Sequence, residues 1–197
     1  MKHFLQNESG AVGIIIIMLV IIAAGFGGWQ WYQKQRDANP MMGEDVPVTL
    51  NVYFDNRDRN PGAQDCGAVY PVSRQVSSLN LATELLGELF RGPTPAEKAR
   101  GYTSLFSEST SDILLNVRVA GGFAYVNLKD IRYRLSSVSA SCGGAQFFAE
   151  VERTLKQIPG VHTVIYALEG DPEAFYEWTQ LGCDGSGRCD STPFQLE

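Results

Sequence analysis

The run AVGIIIIMLVIIAAGFGG, from Ala11 to Gly28, contains no charged residue. As a helix it covers about 27 Å, close to the hydrocarbon thickness of a bilayer. No polar position interrupts it to mark a solvent face, which argues against a buried core helix. Trp29, Trp31 and Tyr32 follow at once, then Lys34 and Arg36, the order expected where a helix leaves a membrane for water. A secretory signal peptide is the competing reading. The run, however, is longer than the usual apolar core of such a peptide, and Ala23-Ala24-Gly25 is a mediocre cleavage site. The expectation is an N-terminal tail over 1–10 and an uncleaved transmembrane helix over 11–32. Lys2 on one side and Lys34 and Arg36 on the other do not decide its orientation by charge.

The 197 residues leave room for one domain beyond that helix, and the formal net charge of -6 gives no basic footprint of the kind that neutralises phosphates. Nucleic acid is therefore excluded as the expected partner. All four cysteines, Cys66, Cys142, Cys183 and Cys189, lie after the apolar run. An even count in that position suits an oxidising, extracytoplasmic compartment, with four reduced thiols as the alternative. Four cysteines allow three connectivities; the spacing CDGSGRC makes Cys183–Cys189 a local loop and leaves Cys66–Cys142. A zinc site has little support, because His162 is the only histidine beyond the N-terminal tail and no cysteine pair has finger-like spacing.

Residues 33–47 carry charge, proline and glycine without periodicity and read as a linker. The domain begins at Val48, where VTLNVYF alternates as a half-buried strand. A polar loop leads to a second strand over Ala68–Arg74, pushed toward a sheet edge by Pro71. Ser78 is the expected N-cap of a helix whose Leu81, Leu85, Leu86, Leu89 and Phe90 share one face.

The next stretch, RGPTPAEKARG, could be mistaken for a phosphate-cradling loop. It lacks the several glycines and the Lys before Ser or Thr that such a loop needs. Helix grammar accounts for it instead. Gly92 closes one helix, Pro93 cannot continue it, and Thr94 caps a new turn with Pro95 first and Glu97 completing a capping box.

DILLNVRVAGGFAYVNL reads as a hairpin turning at Gly121-Gly122. Ile113, Leu115, Val117 and Val119 face one way on its first strand, and Ala124, Val126 and Leu128 on its second. Gly143 to Ile158 reads as a helix with Phe148, Val151, Leu155 and Ile158 on one face, ended by Pro159-Gly160. Val161–Leu168 is the last strand. The predicted class is α+β: a mixed β-sheet with two main helices packed on one face, in the order ββαββαβ, preceded by the transmembrane helix.

These residues resemble a known family. VYFDN at Val52–Asn56, VSRQV at Val72–Val76, LLGELFRGPTPAEKARGYTSL, the hairpin VRVAGGFAYVNL, the helix FFAEVERTLKQIPGV and the strand TVIYALEG occur in the order seen in GerMN domains. The resemblance covers residues 48–170 and leaves out the linker and the extension over 171–197. It implies an extracytoplasmic module, anchored by a lipid or a transmembrane helix, without established catalytic residues and similar in shape to small α/β motifs that build rings in secretion-type assemblies. The Cys66 and Cys142 loops and the extension depart from the family pattern.

No catalytic, cofactor or metal residue is therefore expected, and no cofactor. His162 reads as a sheet-surface side chain, and Glu150 and Glu152 as a solvated helix face. Asp55, Asp58, Asn60 and Asp65 in one loop, and Asp184 and Asp190 in another, lack the ligand spacing of a calcium loop. Arg74, at the end of a strand before a helix, is placed to pair with an acidic residue of the domain. The extension's Phe175, Tyr176, Trp178 and Phe194 either dock back on the sheet or form an interaction surface.

The expected function is a non-catalytic, single-pass, extracytoplasmic interaction module of the bacterial cell envelope. Its expected partners are the membrane, through the N-terminal helix, and an envelope protein, a polysaccharide or a second copy of itself. A cell-wall-active enzyme and a small-ligand sensing domain are the alternatives.

Overall fold

The first strand, β1 (Pro47–Asn56), keeps the alternation of its sequence, with Val52 and Phe54 fully buried. It pairs antiparallel with β2 (Tyr70–Ser77) along one edge and with the short β3 (Tyr102–Thr103) at its far end. A second sheet holds β4 (Leu114–Ala120), β5 (Phe123–Leu128) and β6 (Thr163–Leu168), with β5 antiparallel to β4 and parallel to β6. This is a computed structural model, and it describes residues 27–29, 46–183, 185 and 187–195. The expected tail, anchor and linker lie outside the described residues, apart from a helical Gly27–Trp29 and positions 46–47. Among the described residues no helix is long and apolar enough to cross a membrane. The described residues from 46 onward form one compact unit.

The α+β class holds, but the single mixed sheet is corrected to two three-stranded sheets. The helices α1 (Leu81–Phe90) and α3 (Ser141–Leu155) serve both, α1 touching β1, β2 and β4, and α3 touching β1 and β6. One continuous core results. Leu85, Leu86, Leu89 and Phe90 of α1 are all fully buried in it, each side chain contributing roughly 1.5–3 kcal/mol. The short α2 (Pro95–Lys98) and α4 (Pro172–Trp178) complete the helices.

β2 starts two residues later than expected and runs three further, to Ser77. The N-cap of α1 is Asn80 rather than Ser78, whose hydroxyl instead accepts from the Val46 amide at 3.1 Å. The hairpin turns as read, with Gly121 and Gly122 both at positive φ. Its first strand does not keep its inward face: a register shift between Leu114 and Asn116 leaves Leu115 exposed, and Val119 is exposed near the hairpin tip. One extra residue in a strand is enough to reverse a face.

Both disulfides form, Cys66–Cys142 and Cys183–Cys189, and no described cysteine is free. The first spans 76 positions and ties the β1–β2 loop to the first turn of α3. Its loop-closure contribution is about 4 kcal/mol, against about 2 kcal/mol for the local pair.

The extension is part of the fold. Asp171 caps α4 through a 3.0 Å bond from the Ala174 amide, and α4 packs along β6. Phe175 stacks on Tyr166 with centroids 4.9 Å apart, and the Tyr176 hydroxyl accepts from the Tyr166 amide at 3.3 Å. The outer edge of β6 is thereby covered, which protects it from pairing with another chain. Phe175 and Tyr176 are buried, so an interaction surface made of all four tail aromatics is ruled out. Trp178 lies against Phe175, and Phe194 meets Tyr125 of β5 edge-on.

Candidate functional site

The far end of β1 gathers most of the domain's buried polar chemistry. β1 needs partners for the backbone groups of its second edge, because β3 reaches it only at Asp55 and Asn56. α3 supplies them. The Gln157 side chain accepts from the Asn51 amide at 2.9 Å and donates to the Asn51 carbonyl, and the Thr154 hydroxyl accepts from the Tyr53 amide at 3.2 Å. Glu150 takes the backbone amide of Asp55. Positions 150 and 154 lie on one stripe of α3, Gln157 follows in the turn past its end, and 51, 53 and 55 lie on one strand edge, so polar side chains of α3 and its closing turn stand where a neighbouring strand would.

Glu150 was expected on a solvated face and is instead completely buried. The Ser104 hydroxyl donates to its Oε2 at 2.6 Å and the Gln146 amide to its Oε1 at 2.9 Å. Burial in a low-dielectric surround raises its pKa to about 8. The bonds from Ser104, Gln146 and the Asp55 amide pull the other way without cancelling it, and the charge of Asp55 adds to the rise.

Beside Ser104 opens a cleft of about 320 Å³, lined by Arg57, Pro93, Lys98, Tyr102, Thr103, Ser104, Phe106 and Ser107. Two glycines fix the chain around it. At Gly92 (φ +72°) a Cβ would meet the Phe106 carbonyl oxygen at 2.2 Å, and at Gly101 (φ +84°) the Asp58 carboxylate at 2.3 Å. Neither position admits a side chain. Between them stands the capping box read from the sequence. The Glu97 amide donates to the Thr94 hydroxyl at 3.3 Å, and the Thr94 amide to Glu97 Oε2 at 2.8 Å. Arg57 is held by its own amide, which donates to the Gly101 carbonyl at 2.9 Å.

Arg74 finds the acidic partners expected of it. Its guanidinium grips Glu97 through bonds of 2.7 and 2.9 Å and reaches Glu88 of α1 at 3.1 Å, with only 12% of its side chain exposed. Burial alone would raise the Glu97 pKa, but the bonds from Arg74 and Thr94 outweigh it and hold that carboxyl below the usual range. Burial likewise disfavours the Arg74 charge, and the two carboxylates more than compensate.

His162 is exposed beside the hairpin turn, away from these groups. Asp55, Asp58, Asn60 and Asp65 organise the β1–β2 loop: Asn60 donates to Asp55 at 3.1 Å and to the Asp65 carbonyl at 2.8 Å. Asp184 lies outside the described residues, and the Asp190 carboxylate accepts from the Thr192 amide at 2.9 Å. No group of three or more His, Cys, Asp or Glu is placed to hold a metal among the described residues.

With this architecture in view, the model of the Germane family, described as sporulation and spore germination, matches residues 51–174. The chain belongs to that family. The match covers both sheets apart from the start of β1 and ends within the first turn of α4, while Cys183 and Cys189 lie beyond it. Among solved structures, the tandem GerMN domains of the sporulation protein GerM from Bacillus subtilis align over 67% of this chain and 41% of that one, at 17% identity and a TM-score of 0.41. A Clostridium perfringens protein provisionally described as a lipoprotein aligns over 66% of this chain and 80% of its own, at 20% identity and a TM-score of 0.36. A UPF0194 membrane protein of Enterobacter sp. (strain 638) is 43% identical over 44 residues, 22% of this chain and 13% of that protein. The chain thus spans a minor part of the curated relative and under half of the tandem structure.

Proposed function

We propose that this Germane-family chain is a membrane-anchored, extracytoplasmic interaction module of the bacterial cell envelope, which binds an envelope protein, a polysaccharide or a second copy of itself without doing chemistry. The observation that carries the reading is the pairing of all four cysteines in two disulfides, a state kept by proteins outside the reducing cytosol. The uncharged run over Ala11–Gly28, long enough to span a bilayer, supports the anchor. Membership of a family described as sporulation and spore germination supports a bacterial setting for that role.

The test is made on the full chain expressed in a bacterium. Carbonate-washed membranes retain it if the anchor is present. A membrane-impermeant maleimide applied to spheroplasts labels it only after reductant has opened the disulfides. Thiols that are free from the start, or that label only after lysis, would overturn the extracytoplasmic assignment.

A further inference from the structure

The chain is acidic, with a formal charge of -6, yet the cleft beside Ser104 is lined by two cations and no carboxylate. Arg57 and Lys98 are exposed, and neither takes part in an ion pair among the described residues, where Arg74, Arg91, Lys129, Arg132, Arg134 and Lys156 all do. They arrive from separate elements, Arg57 from the end of β1 and Lys98 from α2, and the Arg57 amide bond to Gly101 holds the two segments together.

One hydroxyl between them is arranged to accept. Thr103 donates its proton to Asp55 Oδ2 at 3.3 Å and so turns oxygen lone pairs toward a ligand, whereas Ser104 Oγ, 2.6 Å from Glu150 Oε2, already accepts from the Phe106 amide at 3.0 Å and is held within the fold. Asp55 also takes bonds from the Asn60 side chain and the Asn56 amide. Glu150, which bonds to Ser104, is pushed up to about 8 by burial and so is largely protonated at neutral pH and does little to oppose an anion. Two cations outside any ion pair among the described residues, beside the Thr103 acceptor oxygen, complement a molecule that has both an oxyanion and a hydroxyl donor.

We infer that the cleft between Arg57, Lys98 and the Thr103–Ser107 segment binds an acidic saccharide unit, its oxyanion on the two cations and a ring hydroxyl donating to Thr103. The inference deepens the proposed binding role by naming the ligand class. It is measured on purified protein, so its failure leaves the maleimide test of location untouched.

The experiment is ligand-observed saturation-transfer NMR on the full chain in detergent micelles, with glucuronate as probe, glucose as neutral control and inorganic phosphate as competitor. Glucuronate is expected to give a signal and glucose none. The signal is expected to fall about tenfold in the R57Q/K98Q double variant, which removes two exposed charges and leaves the core intact. Thr103→Ala, which keeps both cations, is expected to weaken it by a smaller factor. A glucuronate signal that is absent, matched by glucose or unchanged in the double variant overturns the site. Displacement of glucuronate by an equal concentration of phosphate overturns the saccharide assignment and leaves a simple oxyanion site.

Discussion

Glu97 and Glu150 are both buried carboxyls, and their surroundings drive them in opposite directions. Glu97 meets a guanidinium in a two-bond grip, and its acidity rises. Glu150 meets only neutral donors, a hydroxyl, an amide side chain and a backbone amide, and its acidity falls. Hydrogen bonds alone satisfy the lone pairs of a buried carboxyl, whereas a facing cation also repays the loss of solvation of its charge. The first group is a lock between β2, α1 and α2; the second is a joint between β1 and a helix standing in for a strand.

The largest effect is expected at the lock. Arg74→Met leaves Glu88 and Glu97 without their cation and should cost about 3–5 kcal/mol in urea unfolding. Replacing Arg74 and Glu97 together with apolar residues should recover most of that loss, because no buried charge is then left alone. A double variant as unstable as the single one would break the account of the lock.

Next comes the tie that holds α3 near the joint. Opening Cys66–Cys142 by paired serine substitution should cost about 4 kcal/mol, and opening Cys183–Cys189 about 2 kcal/mol. Equal losses in thermal unfolding would mean that the long loop is already constrained by packing.

The two carboxyls should also tilt the pH dependence of stability in opposite senses. Glu150 binds its proton more tightly in the folded chain, at about 8, than in the unfolded chain, near 4.5. As pH rises above the unfolded value, the unfolded state releases that proton first, so stability falls until the folded value is passed. Glu97 has a lowered folded pKa, so its contribution is complete above the unfolded value and fades as pH falls through the folded one. Glu150→Gln should therefore change stability little near pH 5 and raise it by roughly 2–4 kcal/mol near pH 8.5. An equal effect at both values would contradict the assignment. The smallest effect belongs to the capping box, where Thr94→Ala should cost about 1 kcal/mol at either pH.

What was legible in the sequence was local. The stop at Gly92, the restart at Thr94-Pro95 and the Gly121-Gly122 turn each depend on residues within one turn of each other. Arg74 was readable as an ion-pair partner because it closes the expected second strand just before a helix. The joint was not, because Ser104 and Asp55 are distant in sequence from Glu150 and nothing local announces them. One signal was available. Phe147, Glu150, Val151, Thr154 and Leu155 follow helical spacing as well as Phe148, Val151, Leu155 and Ile158 do. Choosing the more apolar of the two registers sent Glu150 to solvent. The same limit applies to Leu115, displaced by a register shift that only its pairing with β5 reveals.

The most direct test follows the side-chain carboxyl carbons of glutamate by NMR in the full chain while pH is raised. Glu150 is predicted to titrate near 8 and Glu97 below the ordinary carboxylate range, with the Ser104 resonances moving together with Glu150. If Glu150 titrates in the ordinary range, its three hydrogen bonds outweigh burial, the carboxyl beneath the cleft is charged at neutral pH, and both the contrast with Glu97 and the electrostatic case for the cleft fail.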